Sequence, residues 1–199
     1  MGKYNYTYKG SESYCYPGTD VLKNKLGIRD GDALTIAERE ITSLKLLKLY
    51  NMPVAEKFKF ETLCKIHEII FGDIYEWAGQ IRRGDFLSKG SSIFCRGPYV
   101  GENAKIIFGG ISKENNLCGL NKSKFVERMA YYMGEINALH PFREGNGRTA
   151  REFFRQLSLN ANYILDFSKT EKEKLLMADI EAFNGKYEKL IQILKKIIL

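Results

Sequence analysis

Apolar residues recur along most of this chain every three or four positions, and the elements that spacing predicts are almost all helices. From Ala33 to about Tyr50, Ile36, Ile41, Leu44, Leu47 and Leu49 imply a helix, with Asp32 placed to cap it. A second is expected from about Phe60 to Phe71, where Leu63, Ile66 and Ile70 line one face. Others are read over Gly101 to Asn115 and, with the strongest pattern, over Lys124 to Leu139, through Phe125, Met129, Tyr132, Ile136 and Leu139. Pro141 biases the residue before it away from the α region, so that helix should stop and leave His140 in a loop. The helical pattern resumes after Gly147 and runs through Asn160, with Phe153, Phe154 and Leu157 apolar. Ser168-Lys-Thr-Glu171 matches a capping box and predicts the first of two C-terminal helices within 169–199, divided at Gly185.

Two stretches depart from this interval. Tyr4, Tyr6 and Tyr8 alternate, which predicts a short strand in an extended arm over residues 1–18. Tyr16-Pro-Gly-Thr then reads as a turn, with Thr19 capping a short helix through Leu26. Over 79–99, Ile81, Phe86, Ile93, Phe94 and Tyr99 surround the turn residues Ser88-Lys89-Gly90-Ser91-Ser92, which predicts a β-hairpin. The expected architecture is a mainly α single domain over 1–199 with one hairpin, and without internal repeats or linkers.

Composition narrows the class. A chain of 199 residues, 44% hydrophobic and 13% aromatic, suits one globular domain with a full core. It contains no run of about eighteen apolar residues and begins without the basic-then-apolar order of a signal peptide, so a cytoplasmic protein is expected. Cys15, Cys64, Cys95 and Cys118 are scattered, which reads as reduced thiols. With only two histidines, His67 and His140, a His/Cys zinc site is hard to assemble. The net charge of +7 gathers locally, at Arg148, Arg151 and Arg155. That favours an anion site over nucleic acid, since no aromatic-plus-basic stripe accompanies it.

The chemistry concentrates in His140-Pro-Phe-Arg-Glu-Gly-Asn-Gly-Arg-Thr-Ala-Arg151. Gly145-Asn146-Gly147 can adopt positive φ cheaply and turn successive amides into a concave cradle, just where a helix starts and its first N–H groups lack partners. A phosphate is the natural occupant. Arg148 and Arg151, three apart, could clamp further phosphate oxygens. Glu144 alone would repel phosphate, and a Mg²⁺ between them reverses the sign. His140 can take a proton from an incoming hydroxyl, its type titrating near pH ~6.5. Gly145-x-Gly147-x-x-Ala150 formally fits a dinucleotide fingerprint, but a helix and Pro141 precede it where a strand is needed, and no P-loop occurs anywhere.

At these residues the chain closely resembles the Fic (filamentation induced by cAMP) family, whose motif is His-Pro-Phe-x-Asp/Glu-Gly-Asn-Gly-Arg-x-x-Arg; every fixed position is present. Tyr16-Pro-Gly-Thr-Asp-Val-Leu-Lys-Asn-Lys-Leu-Gly27, Asp73-Ile-Tyr-Glu-Trp-Ala-Gly79 and Arg151-Glu-Phe-Phe-Arg-Gln-Leu157 are similar to bacterial Fic proteins too. The resemblance implies an α-helical core with a β-hairpin flap, and transfer of AMP from ATP to a Ser, Thr or Tyr hydroxyl of a target protein. It implies His140 as the base, Glu144 as the Mg²⁺ ligand, and Asn146 with the amides of Gly145 and Gly147 on the α-phosphate. Arg148 and Arg151 would hold the β- and γ-phosphates, and Phe142 would anchor the loop. Within the flap, Lys89 and Gly90 would lie close to the nucleotide, while Ser91, Ser92, Ile93 and Phe94 would dock the target's backbone as an added strand.

The residues leave the donor open. UMP, phosphocholine or phosphate transfer would use the same fold, and a non-catalytic nucleotide-binding regulator is the alternative that an intact His140 opposes. Many Fic proteins are restrained by a helix carrying Ser/Thr-x-x-x-Glu-Gly/Asn, whose glutamate pairs with the second motif arginine. Here only Ser123-Lys-Phe-Val-Glu127 has that spacing, and Arg128 follows it. The resemblance therefore implies a toxin or secreted effector whose inhibitor is a separate small protein.

Overall fold

A computed structural model describes residues 6–9, 14–84, 86–89 and 92–199 of the chain. Seven helices carry the described residues: α1 (Gly31–Tyr50), α2 (Phe60–Phe71), α3 (Val100–Lys113), α4 (Lys122–Leu139), α5 (Asn146–Asn160), α6 (Lys172–Phe183) and α7 (Glu188–Ile197). The strands β1 (Tyr6–Lys9), β2 (Phe86–Lys89) and β3 (Ser92–Ile93) form one antiparallel sheet in the order β1-β2-β3. The mainly α architecture is as expected.

Helix α4 is the axis of the core. Phe125, Met129, Tyr132, Ile136 and Leu139 are buried, as their spacing predicts, but so are Val126, Ala130, Met133 and Gly134 on the other side. A helix with buried apolar residues on more than one side needs more than one neighbour, and α4 packs against α3, α5, α6 and α7. Gly134 permits the closest of these approaches, since a Cβ there would lie 2.8 Å from the Tyr187 ring and 3.2 Å from the Ala182 carbonyl oxygen. Helix α2 closes the opposite side of α5, with Leu63, Ile66 and Ile70 buried as expected.

Several local expectations are corrected. The cap of α1 is Asp30, whose carboxylate accepts from the amides of Asp32 and Ala33 at 3.0 and 2.8 Å; Asp32 lies inside the first turn. The buried face of α1 is Leu34, Thr42 and Leu49, whereas Ile36, Leu44 and Leu47 face outward. No helix forms between Thr19 and Leu26. Asn24 folds that segment into a loop by donating to the carbonyls of Leu22 and Ile28 and accepting from the Ile28 amide. The Ser168 capping box does not form either, because Asp166 takes the Ser168 hydroxyl at 2.6 Å and Glu171 becomes the residue preceding α6. Gly185 does divide α6 from α7, at φ 78°.

The expected 79–99 hairpin is shorter than its pattern and gains a strand. Ile81 is exposed in a loop, Gly97–Tyr99 is a 3₁₀ turn, and β1 from the N-terminal arm pairs with β2, Tyr6 opposite Lys89 and Lys9 opposite Phe86. Gly90, Ser91 and Tyr4 lie outside the described residues. Among the described residues no helix is long and apolar enough to cross a membrane.

Candidate active site

Everything in the 140–151 segment depends on one reversal of the chain between α4 and α5. His140 ends α4 in the left-handed conformation, φ 43°, with its amide closing on Ile136 at 3.2 Å. Non-glycine residues rarely adopt this region, and Pro141 explains why α4 cannot continue. Five residues on, Gly145 is left-handed again at φ 82° and opens α5. A Cβ on Gly145 would sit 2.3 Å from the Phe71 ring, so both the dihedral and the space require glycine.

Asn146 closes the reversal upon itself. Its side chain accepts from the Phe142 amide at 2.9 Å and donates to the Phe142 carbonyl at 2.8 Å. Its amide group therefore shapes the loop, while the backbone amides of Asn146, Gly147 and Arg148 precede the first bond of the helix, Thr149 N–H to Gly145 at 3.1 Å. Those unbonded amides lie where the glycines predict a cradle. Phe142, fully buried, anchors the loop as expected.

His67 supports the same loop from α2. Its Nε2 donates to the Glu144 carbonyl at 3.0 Å, and its Nδ1 accepts from the Gly79 amide at 2.8 Å. That pattern requires a neutral ring. Burial agrees, pushing the imidazole down from 6.5 to about 4. The ring stacks on Phe142 at 3.9 Å and on Phe71 at 4.7 Å.

Arg82 is the clamp on the other side. Buried, it donates through Nε to the His140 carbonyl at 2.9 Å and through a terminal nitrogen to the Cys95 carbonyl, while its amide bonds to Pro141 at 2.9 Å. The Cys95 amide in turn reaches Ala138 at 2.9 Å, so the segment following β3 is stitched to the end of α4. This places Phe94 flat against His140, centroids 3.7 Å apart and planes 17° apart. His140 Nδ1 lies 3.3 Å from the Asn137 carbonyl. A carbonyl only accepts, so Nδ1 carries a hydrogen.

The two motif arginines part company. Arg148 donates to Glu38 at 2.6 Å and Thr42 at 3.2 Å on α1, and lies over the Phe71 ring at 4.7 Å. Tyr75 donates to the other oxygen of Glu38; burial first, and then that carboxylate, hold its hydroxyl protonated far above the ordinary range. Arg151 points the other way, into a cavity of about 50 Å³ shared with Asn137, Pro141, Asn146, Gly147 and Asp179. Burial weakens its hold on a proton, and its counter-charge is Asp179 on α6, itself raised by burial from 3.8 to about 6. Nucleotide-sized pockets run to ~300–1,000 Å³, so this cavity suits only the phosphate end of such a ligand.

Glu144, about a third exposed, accepts from the Gly145 amide at 2.8 Å and lies 3.8 Å from Arg148. Of the flap residues, Ile93 faces solvent, Phe94 turns inward onto His140, and Lys89 and Ser92 pair through their backbones. The structure thus brings His140, Glu144, the 146–148 amides and Arg151 to one loop, with the Gly145 amide, expected on the phosphate, taken by Glu144, and adds His67, Arg82, Glu38, Tyr75 and Asp179, which the sequence reading missed. One signal for His67 existed: it is the polar member of the otherwise apolar Leu63, Ile66 and Ile70 face.

The signature of the Fic/DOC family matches residues 57–158. The chain belongs to that family. It is 40% identical over 179 residues to the protein adenylyltransferase VbhT of Bartonella schoenbuchensis, covering 89% of this chain and 37% of that one. Against the probable protein adenylyltransferase Fic of Escherichia coli K12 it is 36% identical over 190 residues, covering 96% and 94%. The chain thus spans just over a third of VbhT's length and nearly all of the E. coli protein's. The crystal structure of the Bartonella tribocorum effector BepC with bound AMPPNP superposes with a TM-score of 0.90 at 28% identity, covering 94% and 97%. In this Fic chain the reversal between α4 and α5 is therefore the family motif, and the three-stranded sheet is its flap.

Proposed function

We propose that this chain is a protein adenylyltransferase, moving the AMP of ATP onto a hydroxyl of a target protein with release of diphosphate. The observation that carries the reading is the short loop that joins an imidazole, its Nδ1 on the Asn137 carbonyl, to the amide-lined start of α5. In this mechanism the amides of Asn146 and Gly147 receive the α-phosphate, and Arg151 receives the terminal phosphates in its cavity. His140 Nε2 takes the proton of the target hydroxyl as its oxygen attacks the α-phosphorus. Phe94 stacks on the ring, and Arg82 holds the His140 backbone carbonyl in place.

Glu144 fits Mg²⁺ as a donor: a single part-exposed carboxylate beside the phosphate cradle is what that ion takes, completing its shell with phosphate oxygens and water. When bound, Mg²⁺ offsets the phosphates' charge. Arg148 stays tied to Glu38 and Thr42, which braces α1 against α5 and keeps one face of the guanidinium toward Glu144.

The target is read as an extended segment added to β3, the strand at one edge of the described sheet, with Ile93 under it. Restraint by a separate small protein belongs to the same reading. The one Ser-x-x-x-Glu segment of fitting spacing opens α4, where Glu127 pairs with Lys124 at 3.2 Å and leaves Arg151 to Asp179.

Incubation with lysate, Mg²⁺ and α-³²P-ATP tests the activity. A labelled protein is expected with the wild type and none with His140→Ala. ATP binding without label in either chain would leave only a nucleotide-binding regulator. Label from UTP and not ATP would change the donor.

A further inference from the structure

Helix α4 ends in a conformation that needs holding. His140 sits at φ 43°, a region that costs any residue with a side chain, and the last carbonyls of a helix lack donors within it. Here the donors come from the root of the flap. The Cys95 amide reaches the Ala138 carbonyl at 2.9 Å. Arg82 supplies the His140 carbonyl through Nε and the Pro141 carbonyl through its amide, each at 2.9 Å. A terminal nitrogen of the same guanidinium donates to the Cys95 carbonyl. Arg82 is 3% exposed, so its charge is buried against carbonyl oxygens at the negative end of a helix.

One side chain thus spans the two backbone stretches that carry the imidazole and the ring stacked on it. Phe94, directly before Cys95, lies 3.7 Å from the His140 ring and meets Phe183 edge-on at 5.7 Å. The strips 82–84 and 95–97 run past each other without slack, since a Cβ on Gly97 would fall 1.9 Å from the Gly84 carbonyl oxygen. The phosphate cradle is held by different contacts, Asn146 on Phe142 and His67 on Glu144.

We propose that Arg82 is a positioning residue for the transfer, joining the flap to the general base so that β3 and the His140 ring move as one body. The proposal rests on the reading of His140 as the base and of β3 as the docking edge. Its consequence is a division of labour. Losing the Arg82 bridge should misalign the proton acceptor and leave nucleotide binding intact.

The purified full chain carrying Arg82→Lys or Arg82→Gln tests this in two ways. The first, proton NMR of the imidazoles, needs no activity. The stacked Phe94 ring shifts the His140 ring protons upfield, and Phe94→Leu gives their position without it. In Arg82→Gln they should move more than half-way to that position, and less far in Arg82→Lys, which keeps a donor without the planar fork. His67→Gln identifies the signal of the only other histidine.

The second is the rate of label transfer from α-³²P-ATP in lysate at varied ATP. Arg82→Gln should lower the maximal rate at least ~30-fold and leave KM for ATP within about twofold, and Arg82→Lys should recover part of the loss. Circular dichroism and melting temperature check the fold. Gly97→Ala, which forces the same two strips apart, is read in the same way if the Arg82 variants do not fold. A folded variant whose His140 spectrum matches the wild type overturns the proposal, as does a loss of ATP affinity in proportion to the loss of rate. A wild type that labels nothing sinks the transferase reading by itself, and the spectrum then decides whether Arg82 places the ring.

Discussion

The Nε2 of His67 lies 3.0 Å from the carbonyl oxygen of Glu144, 77 residues further along the chain. That bond makes the neutral form of a buried imidazole a structural part of the catalytic loop. With Gly79 donating to Nδ1, a proton added to the ring has nowhere to go without breaking a bond.

Stability should therefore depend on pH through His67. Its folded value lies below the unfolded one, so the contribution is complete above about pH 6.5 and is lost as pH falls toward 4. The shift corresponds to about 3 kcal/mol. Urea unfolding at pH 7.5, 5.5 and 4.5 checks it. The wild type should lose most of that amount by pH 4.5 over and above His67→Gln, and equal losses would exclude the imidazole as the cause.

Gly145→Ala should disable the site while leaving the helices intact. The left-handed dihedral alone opposes a side chain by ~1–2 kcal/mol, and the Phe71 ring adds overpacking of similar size. Misplacing the cradle is expected to lower transfer at least ~100-fold. Near-normal labelling by a folded variant would show that the α5 entrance is more plastic than its geometry.

Asp179→Asn should tighten ATP binding at neutral pH, because the carboxylate competes with phosphate for Arg151. The acid, raised to about 6, is neutral below that value, so the gain over wild type should shrink toward unity at pH 5. A gain of about 3–10-fold at pH 7.5 is expected from one removed charge in a half-buried site. The same change should raise stability above pH 6, where the raised pKa disfavours the folded state. Calorimetric titrations at both pH values decide the matter; a pH-independent ratio would separate Asp179 from the phosphate site.

Ile93→Asp should impair labelling of the target by about tenfold or more and leave the affinity for ATP within about twofold, since Ile93 faces solvent on β3. Equal loss of both would place the flap in nucleotide binding alone.

How much of this was legible beforehand follows from distance along the chain. The ends of α2 and α5, the break at His140, the glycine cradle and the anchoring of Phe142 are written in neighbouring residues. Turn chemistry and helical spacing act over a few positions, so reading them needs no third dimension. The Thr19 helix and the Ser168 capping box failed for the same reason: Asn24 and Asp166 offered better local partners that the pattern did not rank.

The tertiary structure alone decided which face of α1 is buried and what holds the catalytic loop in place. Arg82 meets the His140 carbonyl across 58 residues, and Glu38 meets Arg148 across 110. No periodicity encodes such pairs, because each is chosen by the packing of whole helices around α4. The sequence by itself determined the chemistry available; the packing determined which side chains hold it still.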